Sequence, residues 1–109
     1  MLYIEGNTIR LTRGDTAYLD IPLVTSEGTY EMNPEDTLTF SVKKTVRDAD
    51  YIFQKVVTGT NTFHIEPTDT VEMTFGKYVY DVELNTKDND VFTVIPPSTF
   101  EVLVEVTRK

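Results

Sequence analysis

Histidine occurs once, at position 64. A nucleophilic triad built on it needs a serine and a positioned carboxylate within hydrogen-bond reach. The serines are Ser26, Ser41 and Ser98. Ser26 falls in a turn, Ser41 lies mid-strand, and none sits in a Gly-x-Ser-x-Gly elbow. His64 alternates with Phe63 and Ile65, which turns it toward solvent. Paired carboxylates are the other route to catalysis, because glycoside hydrolysis uses two of them across a cleft. Asp81 and Glu83 share the wet face of one expected strand, Glu101 and Glu105 that of another. With 18 acidic residues among 109, such pairs arise on any solvated strand face, and there is no Trp to line a sugar groove.

Three loops carry further chemical signals. Lys87-Asp88-Asn89-Asp90 alternates carboxylate and amide oxygens, which suits a hard cation, but lacks the Gly and the distal bidentate Glu of an EF-hand loop. Arg47-Asp48-Ala49-Asp50 is thinner still. Both read as hairpin turns. Arg13-Gly14-Asp15 matches an adhesion tripeptide, yet it joins two strands, where a Gly that accepts φ > 0 is what a tight turn requires. The five glycines form no phosphate-binding cluster, and the absence of cysteine removes disulfides, thiolate metal sites and thiol nucleophiles. These residues predict a non-enzymatic chain with no cofactor and no functional metal, in which Arg13, Gly14 and Asp15 form a structural turn.

The elements that position these residues are strands. The sequence has 18 Thr and 13 Val but only two Ala, a composition that suits pleated, half-buried surfaces. Period-two alternation marks Thr16–Leu23, Thr37–Lys43, Lys77–Leu84 and Ser98–Thr107, and weaker strands are expected at Asn7–Arg13, Tyr51–Val57, Thr62–Glu66 and Asp90–Ile95. The shared faces predict a core containing Leu19, Ile21, Leu38, Phe40, Tyr80, Val82, Val102 and Val104. Turn signals separate the strands, Pro96-Pro97 among them. Short helical turns fit Pro67–Met73 and Thr45–Asp50. Seven to nine strands with short turns indicate a β-sandwich or small barrel. Asp69, Gly76 and Tyr78, followed by Tyr80, match the corner before the penultimate strand of immunoglobulin-like sandwiches, where a Tyr hydroxyl reaches back to the backbone. The antibody Cys pair and Trp are missing, and spacing alone does not separate this class from a jelly roll.

Residues 1–109 amount to one domain, enough chain to bury roughly 65% of its unfolded surface. No apolar run approaches the roughly 18 residues that cross a bilayer, and the N-terminus does not read as a signal peptide. Ten basic against 18 acidic residues give a net charge of −8, which repels phosphate backbones and anionic lipid. Nucleic acid and membrane surfaces are therefore not expected partners.

The stretch from Ile9 to Leu23 contains a strand, a Thr-Arg-Gly-Asp-Thr turn and a second apolar strand. It is followed by the turn Glu27-Gly28-Thr29-Tyr30, by Asp36 before Leu38–Lys43, and by the Gly-x-Tyr-x-Tyr-Asp strand from Gly76 to Asp81. In this order the motifs resemble small β-sandwich structural domains of Gram-positive phages and prophages, the N-terminal domain of the phage baseplate upper protein family in particular. The resemblance implies an immunoglobulin-like antiparallel sandwich serving tail or baseplate assembly or attachment, in the virion or in the host cytoplasm during assembly. Its partners would be particle proteins or further copies. A baseplate protein would continue past Lys109, so the sequence fits a free-standing phage protein or an excised domain. A carbohydrate- or cell-wall-binding module is the alternative.

One further expectation concerns association. Tyr51 and Phe53 alternate onto one side of their strand and Ile52 and Val56 onto the other. Phe92 and Val94 stand in the same relation to Val91 and Ile95. A sandwich has one inner layer, so large apolar groups on both faces predict an interface through Tyr51, Phe53, Phe92 and Val94. The competing expectation is that the turns at Thr45–Asp50 or Pro67–Met73 fold over them.

Overall fold

The computed structural model describes residues 2–25 and 28–105. The described elements run β1 (Leu2–Glu5), β2 (Thr8–Thr12), β3 (Ala17–Asp20), β4 (Val24–Thr25), β5 (Gly28–Thr29), β6 (Thr37–Lys43), β7 (Phe53–Thr58), β8 (Thr62–Ile65), α1 (Pro67–Thr70), β9 (Gly76–Asn85) and β10 (Val91–Leu103). The chain is mostly β. Six strands form one mixed sheet in the order β1-β2-β10-β9-β6-β7, while β3 pairs with β8 and β4 with β5 in two small sheets. β2 and β10 run parallel; the other pairings are antiparallel.

Alternation explains the layering. On the large sheet, Ile9 and Leu11, Leu38, Phe40 and Val42, Tyr78, Tyr80, Val82 and Leu84, and Phe100 and Val102 all point to one side and are buried. The small sheet covers that side with Ala17, Leu19, Phe63 and Ile65. Phe40 sits at the centre, its ring centroid 5.6 Å from Phe63 across the layers and 5.2 Å from Tyr80 within the sheet. Opposed layers of this kind satisfy two amphipathic sheets at once.

Seven of the eight residues expected in the core are buried. Val104 is not: β10 ends at Leu103, and Val104 is 61% exposed. Past the last ladder pair the chain no longer alternates against a neighbour. Val106, two positions further along the expected strand Ser98–Thr107, lies outside the described residues. Pro96-Pro97 is not a turn between strands. β10 runs through both prolines, pairing with β9 on either side of irregularities between Thr93 and Ile95 and between Ile95 and Ser98. Prolines are tolerated there because a bulge requires no ladder N–H. The segment Thr45–Asp50 makes a single turn without regular helix: the Asp48 amide donates to the Thr45 carbonyl at 3.2 Å, and the Thr45 amide and hydroxyl donate to the Asp48 carboxylate at 3.1 and 3.0 Å. β1 has no counterpart among the expected strands; its Ile4 and Tyr3 are exposed, so burial leaves little alternation to read.

Candidate functional site

The Arg13-Gly14-Asp15 segment is held on every side. Arg13 makes two bonds to Glu105, Nε to Oε2 at 2.9 Å and Nη2 to Oε1 at 2.6 Å. Its Nη1 donates to the Met73 carbonyl at 3.2 Å, and its guanidinium lies 4.3 Å from the centre of the Phe75 ring. The bond to Glu105 raises the Arg13 pKa further above its ordinary value. Gly14 has φ +82° and donates to the hydroxyl of buried Thr70 at 2.8 Å; the Asp15 amide closes the turn on Thr12 at 3.1 Å. The Arg13 side chain is thus engaged within the fold.

The corner residues also have clear positions. The Tyr78 hydroxyl donates to the Thr74 carbonyl at 2.8 Å, four residues upstream. Gly76 opens β9 with φ +133°. Asp69 accepts from the Glu66 amide at 2.8 Å and pairs with Lys55 at 2.8 Å, tying α1 to β7. On the next inward position of β9, the Tyr80 hydroxyl reaches the Asn7 carbonyl, and burial pushes its pKa up to about 12.

Of the four expected interface residues, the structure separates Tyr51 from Phe53. Phe53 turns inward, half-buried, 6.0 Å from both Phe40 and Phe100. Tyr51 precedes β7, is 51% exposed and lines a hollow on the outward face of the large sheet. The strand pattern placed them together because it extended the pairing two residues too far.

Phe92 and Val94 do come together. With Pro22, Leu23, Val24, Tyr30, Leu84 and Thr93 they line an open, mainly apolar groove of about 430 Å³. Phe92 is 55% exposed and Val24, on the facing wall, 75%. Phe92 pairs with Leu84 and so lies on the inward side, but beyond the reach of the β3–β8 cover. Sequence reasoning missed the facing wall, since Pro22–Val24 reads as the end of a strand. It also missed what braces Tyr30. The Tyr30 hydroxyl donates to Asp36 at 2.6 Å, and Asp36, fully buried, also accepts from the Asn33 amide at 3.0 Å and the Lys87 amide at 2.9 Å. The Tyr30 bond first, and the Asn33 amide second, hold the Asp36 carboxyl below the usual carboxylate range. One side chain thereby fixes the groove wall, the start of β6 and the β9–β10 hairpin.

The residues considered for catalysis form no triad: Asp81 and Glu83 share one side of β9 with Ser41 beside them, while His64 lies apart. His64 stacks on Tyr18 at 4.6 Å on the outer face of the small sheet. Ser41 lies on the outer face of the large sheet, accepting from Gln54 at 2.9 Å, so the core separates them. Glu101 accepts from Arg10 at 3.2 Å. Lys87–Asp90 forms a hairpin turn with Asn89 at φ +69°. Ser26 lies outside the described residues. Among the described residues, no three of His, Asp and Glu gather where a metal could be held.

No protein-family model, curated protein or solved structure matches the chain.

Proposed function

We propose that the chain is a non-enzymatic structural module of a phage or prophage particle, an immunoglobulin-like sandwich that acts through protein–protein contacts in tail or baseplate assembly or attachment. The strand order supports the immunoglobulin-like part. Taken as strands C, C′, F and G, β6, β7, β9 and β10 stand in the spatial order G-F-C-C′, with β3 and β8 in the places of B and E. Tyr78, near the start of the F-like strand, makes the backward hydroxyl bond of a tyrosine corner. His64 lies away from Ser41, and Asp81 and Glu83 project from the same side of one strand, which favours a non-enzymatic role.

The observation that carries the functional reading is the groove at Phe92. A phenylalanine left half-exposed opposite an exposed valine, on walls braced by a buried Asp36, is a preformed apolar surface. Exposed apolar surface of this kind is what a contact with another protein would cover. Mass spectrometry of particles purified from the host tests this: the chain should be present at a fixed ratio to tail proteins, and Phe92→Ser should reduce its incorporation. Particles lacking the wild-type chain would contradict the assignment.

A carbohydrate- or cell-wall-binding module is the second reading. It is favoured by the exposed Tyr51 ring beside the polar hollow of the large sheet.

A further inference from the structure

The outward face of the large sheet carries a feature independent of the Phe92 groove. Asp81 on β9, Ser41 on β6 and Gln54 on β7 form a row across three strands, because Ser41 pairs in register with both others. Glu83 and Thr39 form the next row. Ser41 is buried although it points away from the core. Gln54 donates to its hydroxyl at 2.9 Å, and Val46 and Tyr51 from the β6–β7 connection and Pro97 from the irregular part of β10 line the surface around it. The result is an open hollow of about 170 Å³, which Lys43 and Val79 also line. Lys43 Nζ lies 5.1 Å from the Tyr51 ring centre, so the two side chains form one wall.

The lining narrows the ligand. Lys43 disfavours a cation, and Asp81 with Glu83 disfavours an anion. Hydroxyl, amide, ammonium and carboxylate groups offer donors and acceptors side by side. Tyr51, Val46, Val79 and Pro97 add apolar surface. A sugar ring has this same mixed character, with hydroxyls that both donate and accept around a C–H face that lies against an aromatic ring. Desolvation, and then the neighbouring Glu83, raise the Asp81 pKa, so its carboxylate gains from incoming hydroxyl donors. The volume falls below the ~300 Å³ at which drug-sized ligands begin to fit. A hollow of this size suits a single ring, with any further part of the ligand left outside it.

We propose that this hollow binds a single neutral sugar ring, stacked on Tyr51 and hydrogen-bonded by Asp81, Gln54 and Lys43. This site gives the second reading a location and rests on it; the protein-contact role at Phe92 stands or falls separately. Asp81 and Glu83 project from the same side of one strand and do not flank a bond from opposite faces, so the site binds without cleaving. A free monosaccharide and the end of a polysaccharide present the same chemistry.

Amide chemical shifts of the full chain, titrated with glucose, galactose, N-acetylglucosamine and chitotetraose, test the site. At least one sugar should shift residues 41, 51, 54 and 81 saturably in the millimolar range. Tyr51→Ala and Asp81→Asn should each weaken binding by about tenfold, with melting temperatures no lower than a few degrees below wild type. Tighter binding of chitotetraose than of N-acetylglucosamine would identify a polysaccharide end as the source; equal or weaker binding would identify the free sugar. Absence of saturable shifts with every sugar overturns the proposal. So do shifts centred on Phe92, or shifts that both variants leave unchanged.

Discussion

Tyr78 holds its corner with one hydroxyl, and that bond can be weighed. Replacing Tyr78 by Phe keeps the ring and removes the donor to Thr74. A net cost of about 1 kcal/mol follows, or roughly 4–8 °C in Tm for a domain of this size. Thermal melts of the two proteins check it. Gly14 and Gly59 separate two costs of positive φ. A Cβ at Gly14 meets nothing within 4 Å, so Gly14→Ala carries only backbone strain, on the order of 1 kcal/mol. A Cβ at Gly59 would approach the Pro34 carbonyl oxygen at 3.0 Å, where backbone must yield. Gly59→Ala should therefore destabilise more than Gly14→Ala in denaturant titrations. Asp36 sets a pH dependence. Its carboxyl is held below the ordinary range, chiefly by the Tyr30 hydroxyl. The stability it contributes is present above the unfolded carboxylate value and is lost as pH falls through the depressed one. Urea midpoints measured from neutral pH into acid should fall less steeply for Asp36→Asn than for wild type.

The strands show which sequence signals survive folding. Phe63 on β8 is fully buried against Phe40, so Phe63→Ala should cost about 3–5 kcal/mol. Val104, on the same alternating pattern as Val102, is exposed, and Val104→Ala should stay within about 0.5 kcal/mol. Chemical denaturation of the two variants distinguishes a buried position from a merely periodic one. β6 was legible residue for residue, because a central strand is paired on both sides and buried on one face, which enforces alternation. β9 was legible for the same reason. β10 was split in two, since Pro96 and Pro97 signal a break and only the register with β9 reveals that a bulge absorbs them. Edge strands were read least well: β1 has little burial to record, and β7 begins two residues later than its pattern suggests. The positive φ at Gly14 and the bond from Tyr78 back to Thr74 are local features that residue type specifies. The groove was half legible. Phe92 and Val94 stood out as apolar residues in excess, whereas Pro22–Val24 reach them only through tertiary placement, some 70 positions away in the chain.

For the whole molecule, net charge and the apolar groove act in opposition. A charge of −8 makes identical copies repel, and salt screens that repulsion over a Debye length of about 10 Å at 0.1 M. The isolated chain should sediment as a monomer at low salt. Weak association should appear as salt rises, and Phe92→Ser should remove it. A partner that carries positive charge around an apolar anchor would meet no such barrier. The two parts of the functional account also occupy different places: the groove opens beside the β9–β10 hairpin, the polar hollow on the outward face of the large sheet. Neither overlaps the Tyr18–His64 face of the small sheet, which provides an internal control. The most direct measurement of the proposed role places a photo-crosslinking phenylalanine at position 92, and in a separate protein at position 18, during assembly of the proposed particle. Position 92 should give one dominant adduct with a protein of that particle and position 18 none. No adduct at 92, or the same adducts from both positions, would contradict a docking role for the groove.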